Sequence, residues 1–262
     1  NQDRGYDLPI AERYVNYLKD IVTEGDFGMS YFSGRPVFDE IWPRFLVTIR
    51  MSLLILVISV CVGVPVGIYS AVRQYSLWDT VPTMMAFFLA AVPSFVIGMV
   101  LMYFFALKIN IFPSFGLSGL KSYILPVSAV AISEAAAYLR FTKSSMLEAI
   151  RQDYVRTARG KGVPERTVIW KHAMRNALLP VITCVGMRFG VLLAGMVTTE
   201  RLFSIPGIGS LIVDSISKKD EPVIIAASIL IASAFTMLML LVDIAYAYVD
   251  PRIRAKYSRL ER

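Results

Sequence analysis

The stretch Asp153-Tyr-Val-Arg-Thr-Ala-Arg-Gly-Lys-Gly162 is a cationic, helix-forming segment that ends in two closely spaced glycines. Apolar stretches of the chain lie on both sides of it. A membrane protein that only anchors itself has no need of so long and ordered a loop, whereas one that a soluble partner pushes does. The segment therefore predicts a membrane protein that is driven by a soluble partner.

The apolar residues are gathered in stretches of bilayer length. The chain of 262 residues is 56% hydrophobic and only 18% charged, which is little charge for a soluble domain of this size. A helix needs about 20 mostly apolar residues to cross a bilayer. One such stretch could be a buried helix of a soluble protein, but five in succession favour an all-α membrane bundle with five transmembrane helices. The stretches are residues 51–72, 80–107, 122–139, 176–199 and 222–248.

The distribution of charge predicts how the bundle is oriented. The net charge of +7 would suggest a nucleic-acid partner in a soluble protein. Here the bases are concentrated in one loop and the C-terminal tail, whereas residues 1–44 hold eight acidic and five basic residues. Since cationic loops stay in the cytoplasm, we expect an extracytoplasmic segment over residues 1–44 and a transmembrane domain over residues 45–262. Its loop 141–177 and C-terminus should be cytoplasmic, its loop 201–221 external, and no nucleic acid bound.

An external N-terminus without a signal sequence favours a further helix upstream. We therefore expect six spans in all, with both ends in the cytoplasm.

Helix and turn signals predict the shape of the basic loop. The third span should continue past the membrane as one helix over residues 141–159. Helical geometry should break at Gly160-Lys161-Gly162, because glycine readily adopts the left-handed backbone that ends a helix. Pro164 suits the first turn of a second helix, which should run to about Asn176.

Other signals predict the external segments and the kinks. Residues 8–27 have the pattern of a short amphipathic helix that ends near Gly25. Pro82 and Pro93 should kink the second span. The turn Pro206-Gly207-Ile208-Gly209 should precede a short amphipathic helix in the second external loop.

The motifs of common catalytic sites are absent from the sequence. No Gly-x-x-x-x-Gly-Lys-Ser/Thr phosphate loop occurs, so we expect no ATP hydrolysis, no cofactor and no metal site in this chain. His172 is the only histidine and lies in the basic loop.

Three charged residues inside or near the apolar stretches are candidates for function. Glu134 and Arg188 lie deep in their spans, where they could pair with each other, pair with a partner subunit or face a wet pathway. Asp243 lies within about two turns of a span end and could reach the interface.

Several segments together resemble a known family. They are Asp153–Gly162 with His172, Arg175-Asn176-Ala177 and Pro180; Gly25-Asp26-Phe27-Gly28-x-Ser30; Phe203-x-Ile205-Pro206-Gly207-Ile208-Gly209; and Asp243 with Asp250-Pro251-Arg252-Ile253-Arg254. In this order they resemble the permeases of bacterial oligopeptide, dipeptide and nickel importers, which are binding-protein-dependent ABC transporters. The Gly-Asp-Phe-Gly segment is most similar to the first of the two non-identical permeases. Gly160 departs from the usual alanine, and Arg156-Thr157-Ala158 replaces the Glu-Ala-Ala of the wider superfamily.

The resemblance implies a type I importer permease fold in the bacterial inner membrane. The partners that it implies are a homologous second permease, two cytoplasmic ATPases that bind ATP and magnesium, an extracytoplasmic solute-binding protein and the lipid bilayer. The ATPase-coupling residues that it implies are Asp153, Tyr154, Val155, Arg156, Thr157, Ala158, Arg159, Gly160, Lys161, Gly162 and His172. Tyr154, Val155 and Ala158 should form a contact ridge, and Arg156, Arg159 and Lys161 should supply charge across the interface.

The docking residues expected for the binding protein are Asp26, Phe27, Pro206, Gly207 and Gly209. The intramembrane charges Glu134, Arg188 and Asp243 are the candidates for polar residues of the pathway.

The substrate that the resemblance favours is a di- or oligopeptide. Alternatives within the family are nickel or another metal chelate, glutathione and an oligosaccharide. A carrier driven by protons or ions through Glu134 and Asp243 is a more distant alternative, and no cluster of polar residues supports a membrane enzyme.

Overall fold

The computed structural model describes residues 9–249, apart from the side chains of residues 13, 194, 195 and 245–249. Within this range the chain is helical and forms no strand beyond an isolated bridge between Met29 and Pro36. The helices are α1 (Ile10–Glu24), α2 (Val37–Val72), α3 (Leu77–Ala91), α4 (Ser94–Leu101) with a π-helical continuation (Met102–Lys108), α5 (Lys121–Ile150), α6 (Asp153–Gly160), α7 (Glu165–Thr167) with a π-helical continuation (Val168–Ala173), α8 (Met174–Gly195), α9 (Val197–Leu202), α10 (Ile208–Lys218) and α11 (Glu221–Val249).

The apolar helices confirm the predicted all-helical membrane bundle. Four helices among the described residues are long and apolar enough to cross a membrane: Val37–Val72, Lys121–Ile150, Glu165–Leu193 and Glu221–Ile244. A fifth span is formed if the two halves of the predicted second span, which meet at an angle of 99°, are counted together. The expected C-terminal motif Asp250–Arg254 and the basic tail lie outside the described residues.

The second span breaks at one of its two prolines. Val92 is extended, and Pro93 precedes the first turn of α4, where its missing N–H is not needed. Residues 102–108 then form a wider π-helical turn. Pro82 lies inside α3, which continues through it, and the kink expected there stays a prediction.

The first span begins earlier than its apolar stretch. Pro36 precedes α2, and Asp39 and Glu40 lie in its first turn, where negative charge is stabilised by the helix dipole. The helix therefore runs continuously through position 44/45, where the boundary of the external segment was expected, and that boundary stays a prediction.

Helix α5 lies at the centre of the bundle and packs against α2, α3, α4 and α8. Two glycines let α2 approach it closely. A Cβ atom on Gly63 would lie 2.9 Å from Tyr138 Cβ, and one on Gly67 would lie 2.9 Å from Thr142 Cβ. Since neither contact is tolerable, both positions require glycine for this packing.

The basic loop is folded differently from the expectation in two respects. The third span does not continue to Arg159, because α5 ends at Ile150 and Gln152 is extended (ψ 151°) before α6 begins. The second helix does not end near Asn176, because it starts at Glu165 and continues through α8 as one span. The first break lets α6 fold back and bury its own apolar side, which a straight extension of α5 would leave in water.

Candidate functional site

The loop between the third and fourth spans, residues 151–173, is here called the basic segment. Its first helix, α6, buries Val155 (0% exposed) and Ala158 (9%). These two residues belong to one apolar cluster with Met146 of α5 and with Val168 and Ala173 of the following helix. The sequence analysis expected Val155 and Ala158 to belong to an exposed contact ridge, and their burial shows that they do not. They attach α6 to the two spans that flank it.

The predicted break after α6 is confirmed in the backbone. Gly162 has φ +73°, and its N–H donates to the carbonyl of Arg159 at 2.9 Å. An L-residue rarely adopts this φ, so a side chain here would strain the turn. Gly160 is the last residue of α6, and Pro164 precedes α7, as expected.

Arg159 closes this turn with an ion pair inside the chain. Its Nε lies 3.0 Å from Oε2 of Glu165, and its Nη2 lies 2.7 Å from Oε1. The two side chains are 40% and 56% exposed. Arg159 therefore joins the end of α6 to the start of α7, and this edge of its guanidinium is not free to pair with another subunit.

The side of α6 that faces away from the bundle is polar and aromatic. Asp153 and Arg156 are exposed, and Arg156 Nη1 lies 3.9 Å from Asp153 Oδ1. Tyr154 is 39% exposed. Thr157 and Lys161 are exposed as well. His172 is half-buried, and its carbonyl accepts a hydrogen bond from Asn176 Nδ2 at 3.2 Å.

The sequence analysis did not single out two exposed residues of the helix that follows α6, Trp170 and Lys171. Trp170 is 55% exposed although it follows two buried residues, and Lys171 is also exposed. The helix that begins at Glu165 and continues past Ala173 carries both residues on its exposed side. The signal that could have found them is the helical period of buried Val168, Ile169 and Ala173.

The two segments that the sequence predicts to be external are joined through Asp220. The hydroxyl of Ser30 donates to Asp220 Oδ2, and the N–H of Tyr31 donates to Asp220 Oδ1 at 3.0 Å. The ammonium of Lys218 lies 4.0 Å from the centre of the Phe32 ring, which adds a cation–π contact. We call residues 25–36 and 201–221 together the external platform.

The docking residues expected in this platform divide into two groups. Asp26 and Pro206 are exposed, and Asp26 Oδ1 accepts a hydrogen bond from the N–H of Gly28 at 2.8 Å. Phe27, Gly207 and Gly209 are buried, so their side of the platform packs against this chain rather than facing a partner. Phe27 lies in the cluster that joins α2, α10 and α11.

A buried carboxylate that the sequence analysis missed organises the second half of the platform. Glu200 is 0% exposed and accepts a hydrogen bond from Thr48 Oγ1 at 2.6 Å and from the N–H of Ser210 at 2.8 Å. Thr48 Oγ1 also accepts from the N–H of Ile208 at 3.0 Å, which joins α2 to α10. A Cβ atom on Gly207 would overlap the carboxylate of Glu200, which explains the glycine.

Burial raises the pKa of the Glu200 carboxyl, and the hydrogen bonds from Thr48, Ser210 and Gly209 act in the opposite direction. The signal in the sequence was a glutamate directly before the Phe203–Gly209 segment.

The two deep charges pair with each other across α5 and α8. Arg188 Nε lies 2.7 Å from Oε2 of Glu134, and Arg188 Nη2 lies 3.0 Å from Oε1. Of the alternatives left open by the sequence, mutual pairing is therefore correct within this chain. Asp243 is exposed on α11 and forms no ion pair or hydrogen bond with the described side chains, so the structure does not join it to this pair.

Comparison with known proteins agrees with this architecture. Residues 63–255 match the family described as the binding-protein-dependent transport system inner membrane component. The chain is also 38% identical over 255 residues to the glutathione transport system permease protein GsiC of Escherichia coli (strain K12), which covers 97% of this chain and 83% of that protein. The chain belongs to this permease family. The GsiC protein of Salmonella typhi matches with the same identity and coverage.

Solved structures of ABC transporters share the fold of this permease. The inward-facing MetNI methionine ABC transporter matches with a TM-score of 0.67 at 14% identity, over 80% of this chain and 95% of that chain. An amino acid ABC transporter with histidines matches with a TM-score of 0.55 at 17% identity, over 80% and 94%. The protein is thus an inner-membrane permease subunit of an ABC importer, a family that works with ATPase and solute-binding partners.

Proposed function

We propose that this permease forms, together with a homologous second permease, the pathway by which short peptides enter the bacterial cytoplasm. Two ATPase subunits, which bind ATP and magnesium, and one extracytoplasmic binding protein complete the transporter. In this arrangement the basic segment and the C-terminus are cytoplasmic and residues 1–44 are external. This orientation is supported by the excess of positive charge in the basic segment.

The basic segment transmits the movement of the ATPases to the membrane. The ATPase contacts Tyr154, Arg156 and Lys161 of α6, together with Trp170 and Lys171 beside it. Val155 and Ala158 hold α6 against both flanking spans, and the pair of Arg159 with Glu165 fixes the turn. A displacement of α6 therefore moves α5 and the helix from Glu165 as one body, and this tilts the third and fourth spans.

The continuity of the helix from Glu165 into the fourth span is the observation that carries this coupling. A flexible joint near Asn176 would absorb the movement before it reached the membrane.

The external platform receives the loaded binding protein. The exposed residues Asp26 and Pro206 lie on its outer surface, whereas the carboxylates of Asp220 and Glu200 join its two halves to each other and to α2. Docking of the binding protein on either half would therefore displace α2, the first span.

Among substrates, peptides are favoured by the resemblance of the motifs, and glutathione is a second candidate favoured by the similarity to GsiC. Glutathione is itself a small peptide, so both candidates carry a free amine and free carboxylates. Metal chelates and oligosaccharides have no comparable support. A carrier driven by ions would not belong to a family that depends on ATPases.

Reconstitution tests the proposal. The complete complex is placed in proteoliposomes with ATP inside and binding protein outside, and uptake of labelled tripeptide and labelled glutathione is measured separately. We expect uptake of at least one of them only with ATP, and none with ATPase subunits that cannot hydrolyse it. Uptake without ATP, or uptake of neither compound, would contradict the proposal.

A further inference from the structure

The pair of Glu134 and Arg188 lies far from both ends of its span, so the Arg188 side chain is too short to extend along α8 to water. Arg188 is twelve residues beyond Asn176, which is about 18 Å along the helix axis. On its other side α8 continues for seven residues to Gly195, which is about 10 Å. Because this distance exceeds the reach of an arginine side chain, Arg188 cannot extend to the membrane surface.

Arg188 is nevertheless only partly covered by this chain. Its side chain is 41% exposed, whereas that of Glu134 is 15% exposed. An exposed guanidinium in the hydrocarbon region is unfavourable, so intramembrane arginines face a wet cavity or another polar group. The open side of Arg188 therefore faces either the pathway or the second permease.

The contact with Glu134 leaves donors unused. A guanidinium has five N–H groups, and Glu134 occupies one edge through Nε and Nη2. Among the described residues no second acceptor binds it, and the centre of the Tyr138 ring lies 6.0 Å from Cζ. The edge formed by Nη1 and Nη2 has the geometry that binds a carboxylate through two parallel hydrogen bonds.

We propose that Arg188, oriented by Glu134, binds the carboxylate of a peptide during its passage through the pathway. This inference rests on the proposed function, since it takes the substrate to be a peptide with a free carboxylate. Glu134 neutralises part of the charge on Arg188, so the carboxylate is held weakly enough to leave. A site of transit needs this balance between entry and release.

The position of the pair also relates it to the movement of the transporter. Glu134 lies on α5 and Arg188 on α8, the two helices that the basic segment joins. When the segment tilts these spans together against the second permease, the surroundings of the pair change, and with them the share of Arg188 that is available to the substrate.

Binding to the membrane complex alone tests the proposal. The detergent-solubilised complex of permeases and ATPases, without binding protein, is titrated with trialanine and with trialanine amide, and its thermal stability is followed. Since one charge-assisted pair is lost, we expect the amide to bind roughly tenfold more weakly than the free acid. The same preference should be absent in the double variant Arg188→Gln/Glu134→Gln, which leaves neither charge buried without its partner.

Arg50→Gln is the matched control, because it removes an exposed arginine of α2 that does not contact the pair. It should keep the preference for the free acid. If the double variant keeps the preference, or the wild-type complex has none, the proposal is wrong. If the double variant instead loses the second permease on purification, the open edge belongs to that subunit and the proposal is equally wrong.

Uptake by the wild-type complex distinguishes a failure of the carboxylate site from a failure of the proposed function. ATP-dependent import of peptide by the wild-type complex, combined with an unchanged preference in the double variant, refutes the carboxylate site alone. Absence of import by the wild type refutes the proposed function.

Discussion

The ion pair between Arg159 and Glu165 gives the sharpest test of how the basic segment works. Arg159→Glu removes a bidentate contact and places two carboxylates where the structure has opposite charges. If Arg159 closes the turn after α6, the loss of activity should result from the altered turn within this chain. If Arg159 binds the ATPase, the loss should result from a weaker contact with that subunit.

The size of the effect follows from the exposure of the pair. The two side chains are 40% and 56% exposed, so solvent screens them and the pair contributes no more than about 1 kcal/mol. Repulsion between two carboxylates costs a similar amount, which brings the total to about 1–2 kcal/mol. Since 1.4 kcal/mol is a tenfold change in an equilibrium constant, the ratio of transporters with α6 in place to those with α6 displaced should fall roughly tenfold.

The assay is ATP hydrolysis stimulated by loaded binding protein in proteoliposomes. We expect Arg159→Glu to lower the stimulated rate, by up to roughly tenfold, while the protein still inserts and assembles. The double reversal Arg159→Glu/Glu165→Arg restores the pair with its charges exchanged, and should recover most of the rate. A double variant as defective as the single one would refute the closing role and place Arg159 in the interface with the ATPase.

Three further predictions concern stability and are measured by thermal unfolding of the purified complex. Val155→Ala should lower the stability of the basic segment by about 2 kcal/mol, because it removes buried methyl groups from the joint between α6 and the spans, and limited proteolysis should then cut there first. Gly207→Ala should destabilise the external platform by about 1–3 kcal/mol, because the new Cβ would displace the Glu200 carboxylate, whereas the exposed Pro206→Ala should have little effect. Because the folded pKa of Glu200 is raised, its contribution to stability is complete below the ordinary glutamate pKa and is lost as pH rises through the folded value, so Glu200→Gln should flatten that part of the stability profile.

Local properties of the chain explain what sequence analysis predicted correctly. The apolar stretches predicted the spans because the bilayer sets a minimum length for any helix that crosses it. Gly162 predicted the turn because its left-handed backbone disfavours other residues. Gly25 likewise ends α1 in the left-handed region.

The errors have a common cause in contacts between elements. The third span was extended to Arg159 because its residues favour a helix throughout, but burial of Val155 and Ala158 against the following helix requires a break. Phe27, Gly207 and Gly209 were expected to face a partner because they belong to a recognisable motif, yet they pack inside the chain.

The sequence by itself determined the family, the number of apolar stretches and the place of the basic turn, because each depends on residues that are neighbours in the chain. Only the tertiary structure decided which polar side chains meet. Glu134 pairs with Arg188, which is 54 residues away in the sequence, and Glu200 accepts a hydrogen bond from Thr48, which is 152 residues away. No helical period encodes such partners, since a side chain that leaves water binds whichever polar group the packed helices bring within hydrogen-bond distance.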